Sequence, residues 1–248
     1  METSTYTAVL LLATLSGLTT VLGVLLAVYV TRHERWIAAG IGFSVGIMLL
    51  IALLELIPES LAMAPSSVVV VAAGLGVLSI ALLHIAIPHT HLFKEKGLVG
   101  VDLFRTAYLV AFGLILHDFP EGFAMANSYI ASPSLGIAVA VAIALHNIPE
   151  EFAMAVPLVA TRSRALLFRA AIISGMAEPV GAAIGLFAAS INPHLVPVFM
   201  AFAAGAMIFV SLHELIPMAR KYGKLSYFGL GLVVSVAVYV LLAGLIPE

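Results

Sequence analysis

Eight long apolar runs confine this chain to a bilayer. They fall at about 6–30, 37–58, 68–87, 105–128, 134–158, 169–190, 197–218 and 226–246. About 20 apolar residues in a helix span the hydrocarbon core. Only 10% of the 248 residues are charged and 62% are hydrophobic, whereas a soluble domain carries about 25% charged residues. The expected fold is an all-α integral membrane protein of eight transmembrane helices, forming a single transmembrane domain over residues 1–248. The chain has no cysteine, which excludes disulfides, thiolate metal sites and thiol catalysis. No basic cluster points to nucleic acid. No Lys or Arg precedes Arg32, so the first run lacks a charged leader region and is read as a span that stays in the protein.

The basic residues sort the loops. Arg32 and Arg35 lie between runs 1 and 2. Lys94, Lys96 and Arg105 lie between or at the ends of runs 3 and 4, and Arg162, Arg164 and Arg169 bound the segment between runs 5 and 6. Arg220, Lys221 and Lys224 lie between runs 7 and 8, which accounts for all 11. Positive loops face the cytoplasm. One orientation satisfies every loop: both termini outside.

A repeat inverts across the membrane. GIMLLIALLELIP at 46–58 resembles GAMIFVSLHELIP at 205–217, and Ser16-Gly17 with Gly23 resembles Ser174-Gly175 with Gly181. The offsets, 159 and 158, pair helices 1–3 with helices 6–8. A shift of five spans reverses direction, so the plan is a 3+2+3 arrangement with an inverted repeat around helices 4 and 5. Many transporters are built this way.

Helices 4 and 5 carry the chemistry. HDFPEGFAMA at 117–126 and HNIPEEFAMA at 146–155 are near copies, 29 positions apart. His117 and Glu121 are i and i+4, as are His146 and Glu150. Asp118 with Glu121, and Asn147 with Glu150, are i and i+3. Those spacings put each pair on one helix face. Imidazole plus carboxylate suits Zn²⁺ and other first-row divalent ions. Glu178, near the middle of helix 6, is expected at the same depth. Asp118, Glu121, Glu150 and Glu178 bring four negative charges, which two divalent cations balance. Pro120 and Pro149 each remove a backbone donor and are expected to break their helices beside the ligands.

Other polar residues lie away from this centre. Glu55 and Glu59 fall near the outer end of helix 2, and His213 and Glu214 near the inner end of helix 7. They read as entry and exit stations or as ordinary surface groups. Met48 offers a soft sulfur, although packing is its commoner use. His89 and His91 form an inner-loop pair; for His33, His84 and His194 no partner can be named.

These residues resemble the ZIP family of zinc/iron-regulated metal transporters, most closely its bacterial broad-specificity branch. The resemblance rests on HDFPEG at 117–122, HNIPEE at 146–151 and GMAEP at 175–179, and covers essentially the whole chain. It implies uptake of Zn²⁺, with Fe²⁺, Mn²⁺, Co²⁺ or Cd²⁺, through a binuclear site by alternating access. It assigns His117, Glu121, His146 and Glu150 to the transport site. Asp118, Asn147 and Glu178 go to an adjacent second site bridged by both glutamates. Met48 and Glu55 match pathway-lining positions, and His213 and Glu214 match positions towards the exit. The expected partners are divalent metal ions as substrate and the lipid bilayer, with a homodimer as the candidate assembly, no nucleic acid and no prosthetic group. Two positions depart from the family pattern. Asp118 stands where Asn is common, and Glu151 where Gly is usual. The rival reading is an intramembrane zinc-dependent hydrolase, which would need an open metal position and a general base.

Overall fold

The computed structural model describes residues 2–30, 33–86, 101–160 and 162–245. It is all-helical over these residues. Eight long helices run in chain order: α1 (Thr3–Val30), α2 (Glu34–Met63), α3 (Ser66–Ala86), α4 (Val101–Ala131), α5 (Pro133–Met154), α6 (Arg164–Ile191), α7 (Pro193–Lys221) and α8 (Leu225–Leu245). A short helix, Val156–Ala160, follows α5. Among the described residues, seven of the eight are long and apolar enough to cross a membrane. The other, α4, has 31 residues, and its run 109–126 is apolar apart from His117, Asp118 and Glu121. His89, His91, Lys94 and Lys96 lie outside the described residues.

The helices pair in a matched way. α1 packs on α5 and α6 packs on α4; α2 packs on α8 and α7 packs on α3. α2 also meets α5, and α7 meets α4. The apolar side chains of α3 and α8 point mostly outward: Val70, Val71, Ile85, Val233 and Leu241 are all exposed. In a bilayer that is the favourable direction. Helix association in lipid relies instead on small residues that let backbones approach. Gly17 on α1 and Gly175 on α6 show this. A Cβ on Gly17 would sit 2.1 Å from the Gly175 carbonyl oxygen, and one on Gly175 would sit 2.6 Å from the Gly17 oxygen.

The interruptions fall at different places from those expected. α4 and α5 run through Pro120 and Pro149 without a break. Each proline costs one backbone hydrogen bond, and the neighbouring helices hold the chain in place. Instead, α2 and α7 each widen into a π-helical turn, at Ala52–Leu56 and Ser211–Leu215. Both turns directly precede an Ile-Pro pair. Ile57 N–H donates to Ala52 O and Ile216 N–H to Ser211 O, five residues back. A proline ring clashes with the carbonyl four residues earlier, and the wider turn moves that carbonyl aside. The third interruption is in α6, where Met176 separates Arg164–Gly175 from Ala177–Ile191. Pro179 explains it, since it has no N–H to give to Gly175 O. The break makes Ala177 the start of a new helix and leaves Glu178 in its first turn, where the positive end of the helix dipole favours an acid. α6 also begins earlier than expected, at Arg164, because the Ser163 side chain accepts a hydrogen bond from Leu166 N–H at 3.3 Å.

The glycine contact is a direct test of this packing. Gly17→Leu is expected to destabilise the purified protein by about 1–3 kcal/mol through overpacking, seen as a lower Tm in detergent. Gly74→Leu on α3 should leave Tm unchanged, because nothing lies within 4 Å of its added Cβ.

Candidate metal centre

Two copies of one local geometry build the site. Each motif histidine turns its ring back along its own helix. His117 Nδ1 donates to Gly113 O at 2.6 Å, and His146 Nδ1 donates to Ala142 O at 2.8 Å. A carbonyl oxygen only accepts, so Nδ1 carries the proton in both rings. Nε2 of the neutral ring is then a lone pair, held in a fixed direction. A hydrogen bond of this kind on the far nitrogen is the usual support of a metal-binding imidazole.

Each of those lone pairs faces an acid. His146 Nε2 lies 3.1 Å from Glu121 Oε1, and His117 Nε2 lies 3.3 Å from Glu214 Oε2. A neutral ring and an ionised carboxylate would present two lone pairs to each other. A cation between them, proton or metal, removes the conflict.

Two groups of three ligands form around Glu121. In one, a donor atom each from Glu121, His146 and Glu150 lie within 4.8 Å of one another; in the other, the same holds for Asp118, Glu121 and Glu178. All five residues are buried, at 2% exposure or less. Glu121 belongs to both groups. It sits between α5 on one side and α6 on the other, because α6 comes down onto α4 at Gly122. A Cβ there would lie 2.0 Å from the Glu178 carbonyl oxygen.

The second group has a hydroxyl and amide shell. Ser174 Oγ donates to Asp118 Oδ2 at 2.5 Å. Glu178 Oε1 accepts from Asn147 Nδ2 at 2.6 Å and from Thr20 Oγ1 at 3.0 Å. Asn147 Nδ2 also approaches Ser16 Oγ at 3.3 Å and Thr20 Oγ1 at 3.0 Å. Asn147 thus spends its amide nitrogen on α1 and α6, which leaves its carbonyl oxygen as its one metal-donor atom. Ser16, Thr20 and Ser174 lie outside the histidine-glutamate motifs. The signal was present in the repeat: Ser16 and Ser174 are mates at offset 158, and Asn147 and Asp118 are mates at offset 29. Each serine meets the corresponding polar residue of the central pair.

Several carboxylate oxygens have no such support. Among the described residues, Glu121 Oε2, both oxygens of Glu150, both of Glu151 and Glu178 Oε2 are buried without a hydrogen-bond partner. No described Lys or Arg is buried.

His117 is placed differently from its copy. It belongs to neither three-ligand group among the described residues; its partner is Glu214. The other carboxylate oxygen of Glu214, Oε1, lies 3.0 Å from His84 Nδ1. Glu214 is 3% exposed and His84 6%, so the pair is buried even though His84 lies in the last turn of α3. Glu214 arrives there because the π turn of α7 inserts one extra residue, rotating the remainder of the helix by about 100°. The His213 ring packs edge-on to His84, with centroids 5.3 Å apart, and stacks on Phe209 at 4.8 Å. A run of ligand types therefore leads from His117 through Glu214 to His84 and His213. On α2, Met48 is buried beside the same π turn, with its sulfur 3.6 Å from Ser211 Oγ. Glu55 is half-buried and accepts from Tyr239 OH at 2.5 Å. His33, Glu59 and His194 contribute to neither ligand group.

The chain is similar over most of its length to known transport proteins. The family described as ZIP zinc transporter matches residues 88–244. The zinc transporter ZupT of Corynebacterium aurimucosum is 36% identical, over 96% of this chain and 97% of that one. ZupT of Escherichia fergusonii is 37% identical, over 91% and 96%. The zinc transporter GufA of Myxococcus xanthus is 41% identical over 64% of each chain. A family match over more than half the chain, and relatives aligned over nearly all of it, place this chain in the family of ZIP zinc transporters.

Proposed function

We propose that this chain carries Zn²⁺, and with it Fe²⁺, Mn²⁺, Co²⁺ or Cd²⁺, across the cell membrane into the cytoplasm, with both termini outside. One observation carries the reading. Glu121, Glu150 and Glu178 are buried, each with at least one carboxylate oxygen that no described donor satisfies; Glu121 and Glu150 flank the Nε2 lone pair of His146, and Glu121 links that group to Glu178. A buried bare carboxylate costs several kcal/mol. A divalent ion among these oxygens and the imidazole removes that cost. His146, Glu121 and Glu150 hold one ion in this reading. Asp118, Glu121 and Glu178, with the Asn147 carbonyl oxygen, hold a second. His117 takes ions onward to Glu214. Relatives named as zinc transporters favour transport over the intramembrane hydrolase, for which the comparisons offer no support.

Movement follows from the 3+2+3 plan and its inverted repeat. The matched helix pairs support it, as do the two π turns at offset 159. So does the mutual contact of Gly17 and Gly175: a residue that touches its own repeat mate lies on the axis relating the two halves. Glu55 and Glu214 are mates of the same repeat, yet they differ. Glu214 reaches His117, while Glu55 is tied to Tyr239. Alternating access then exchanges the two arrangements. Ions enter past Glu55 as it is released towards His146, and leave past Glu214, His84 and His213.

Uptake of Zn²⁺ into proteoliposomes tests the reading. His146→Ala and Glu150→Ala should each lower uptake at least about tenfold; unchanged uptake in both would sink it. Ser174→Ala removes only the support of Asp118, and should raise the half-saturating Zn²⁺ concentration about tenfold without abolishing transport. Glu214→Gln belongs to the exit. It should slow the maximal uptake rate while the Zn²⁺ affinity of the purified protein, read by calorimetry, changes less than about threefold.

A further inference from the structure

Glu151 has no part in the transport route just described, and its one polar contact among the described residues is with another acid, Asp118. Glu151 is 1% exposed. Among the described residues, no amide, hydroxyl or amine donor reaches either of its carboxylate oxygens; the one group it bonds is the Asp118 carboxyl, which two acids do only by sharing a proton. Its carboxylate adjoins that of Asp118. α1 closes over it at Gly23, where a Cβ would stand 2.6 Å from Glu151 Cβ and 2.7 Å from Ile148 O. The wall on that side is therefore bare backbone. A glutamate placed for packing alone would be replaced at no cost by an apolar residue, and one placed for a hydrogen bond would have a donor. This one has only another acid.

The two ligand groups also differ in kind. The group of Glu121, His146 and Glu150 contains an imidazole. The group of Asp118, Glu121 and Glu178 contains none, and Asn147 adds a carbonyl oxygen at most. Glu151 stands one turn after Asn147 on α5 and beside Asp118, so it extends the oxygen-only side. Imidazole favours Zn²⁺, whereas sets of carboxylate, carbonyl and water favour harder ions such as Mn²⁺.

We propose that Glu151, with Asp118, forms an oxygen-only position for a hard divalent cation of the Mn²⁺ class, and so sets which ions this chain carries. The proposal rests on the reading of the centre as a metal pathway. Asp118 is the hinge of the arrangement. Ser174 fixes its Oδ2, so its carboxylate is oriented before an ion arrives and can be shared between Glu178 and Glu151. Glu151 adds the charge that a weakly bound ion such as Mn²⁺ needs, since Mn²⁺ lies at the low end of the affinity order for any site.

The test measures Mn²⁺ and Zn²⁺ uptake side by side in proteoliposomes of the full chain, for the parent, Glu151→Gln and Glu151→Asp. Mn²⁺ binding to the same purified proteins is followed in parallel by electron paramagnetic resonance. Glu151→Gln should lower the Mn²⁺/Zn²⁺ uptake ratio about tenfold and remove bound Mn²⁺ signal. Glu151→Asp keeps the charge and should recover part of both. An unchanged ratio overturns the proposal, whether both ions continue or both fall together. A parent that moves Zn²⁺ and neither moves nor binds Mn²⁺ also overturns it, while leaving the transport reading intact. A parent that moves neither ion defeats the transport reading itself and the proposal with it.

Discussion

Six carboxyl groups stand buried in the interior of this bundle with no described lysine or arginine buried beside them. Asp118, Glu121, Glu150, Glu151, Glu178 and Glu214 are each 3% exposed or less. In a low-dielectric interior such a cluster destabilises the fold unless positive charge joins it. The histidines alone do not resolve this. His117 and His146 each spend their Nδ1 proton on a backbone carbonyl and turn a lone pair towards an acid. The cluster therefore needs added positive charge, either protons on the acids or a bound metal ion. In the proposed function the metal ion that supplies this charge is the one to be moved.

The rest of the architecture serves to hold the acids close without satisfying them. Bare glycine surfaces bring α6 against α4 at Gly122 and against α1 at Gly17. Ser16, Thr20 and Ser174 orient Asn147, Glu178 and Asp118 while leaving other donor atoms open. Full satisfaction by hydroxyls would stabilise the empty site and weaken binding. Partial satisfaction fixes direction and leaves the affinity to the ion. Glu214 is drawn in to His117 while Glu55 is held by Tyr239, and under the proposed inverted repeat that contrast breaks the equivalence of the two halves. Two inequivalent arrangements of equivalent parts are the minimum for a pathway that opens to one side at a time.

Much of this was legible in the sequence, and the exceptions have physical causes. The gathering of the central acids and His146 could be read because i, i+3 and i, i+4 spacings fix which residues share a helix face, and the copy at offset 29 doubles the signal. Glu178 could be read from its depth. Ser16 and Ser174 were visible as repeat mates, yet their role depends on which helices touch, and spacing does not encode that. His84 and Glu214 were missed as a pair because α3 and α7 meet only in the fold, and because a π turn shifts the facing of Glu214 away from a regular helix count. Pro120 and Pro149 invited helix breaks that do not occur. One lost hydrogen bond is tolerated where neighbours pack on both sides, and Pro58, Pro179 and Pro217 stand at the real interruptions.

The central claim is that this acid cluster is a cation site. Anomalous diffraction from Zn²⁺-soaked crystals, at the zinc edge, tests it most directly. A peak is expected about 2.0–2.2 Å from donor atoms of Glu121, His146 and Glu150, with a second on the side of Asp118 and Glu178. Zinc bound elsewhere on the protein, with no anomalous density between α4 and α5, would contradict it.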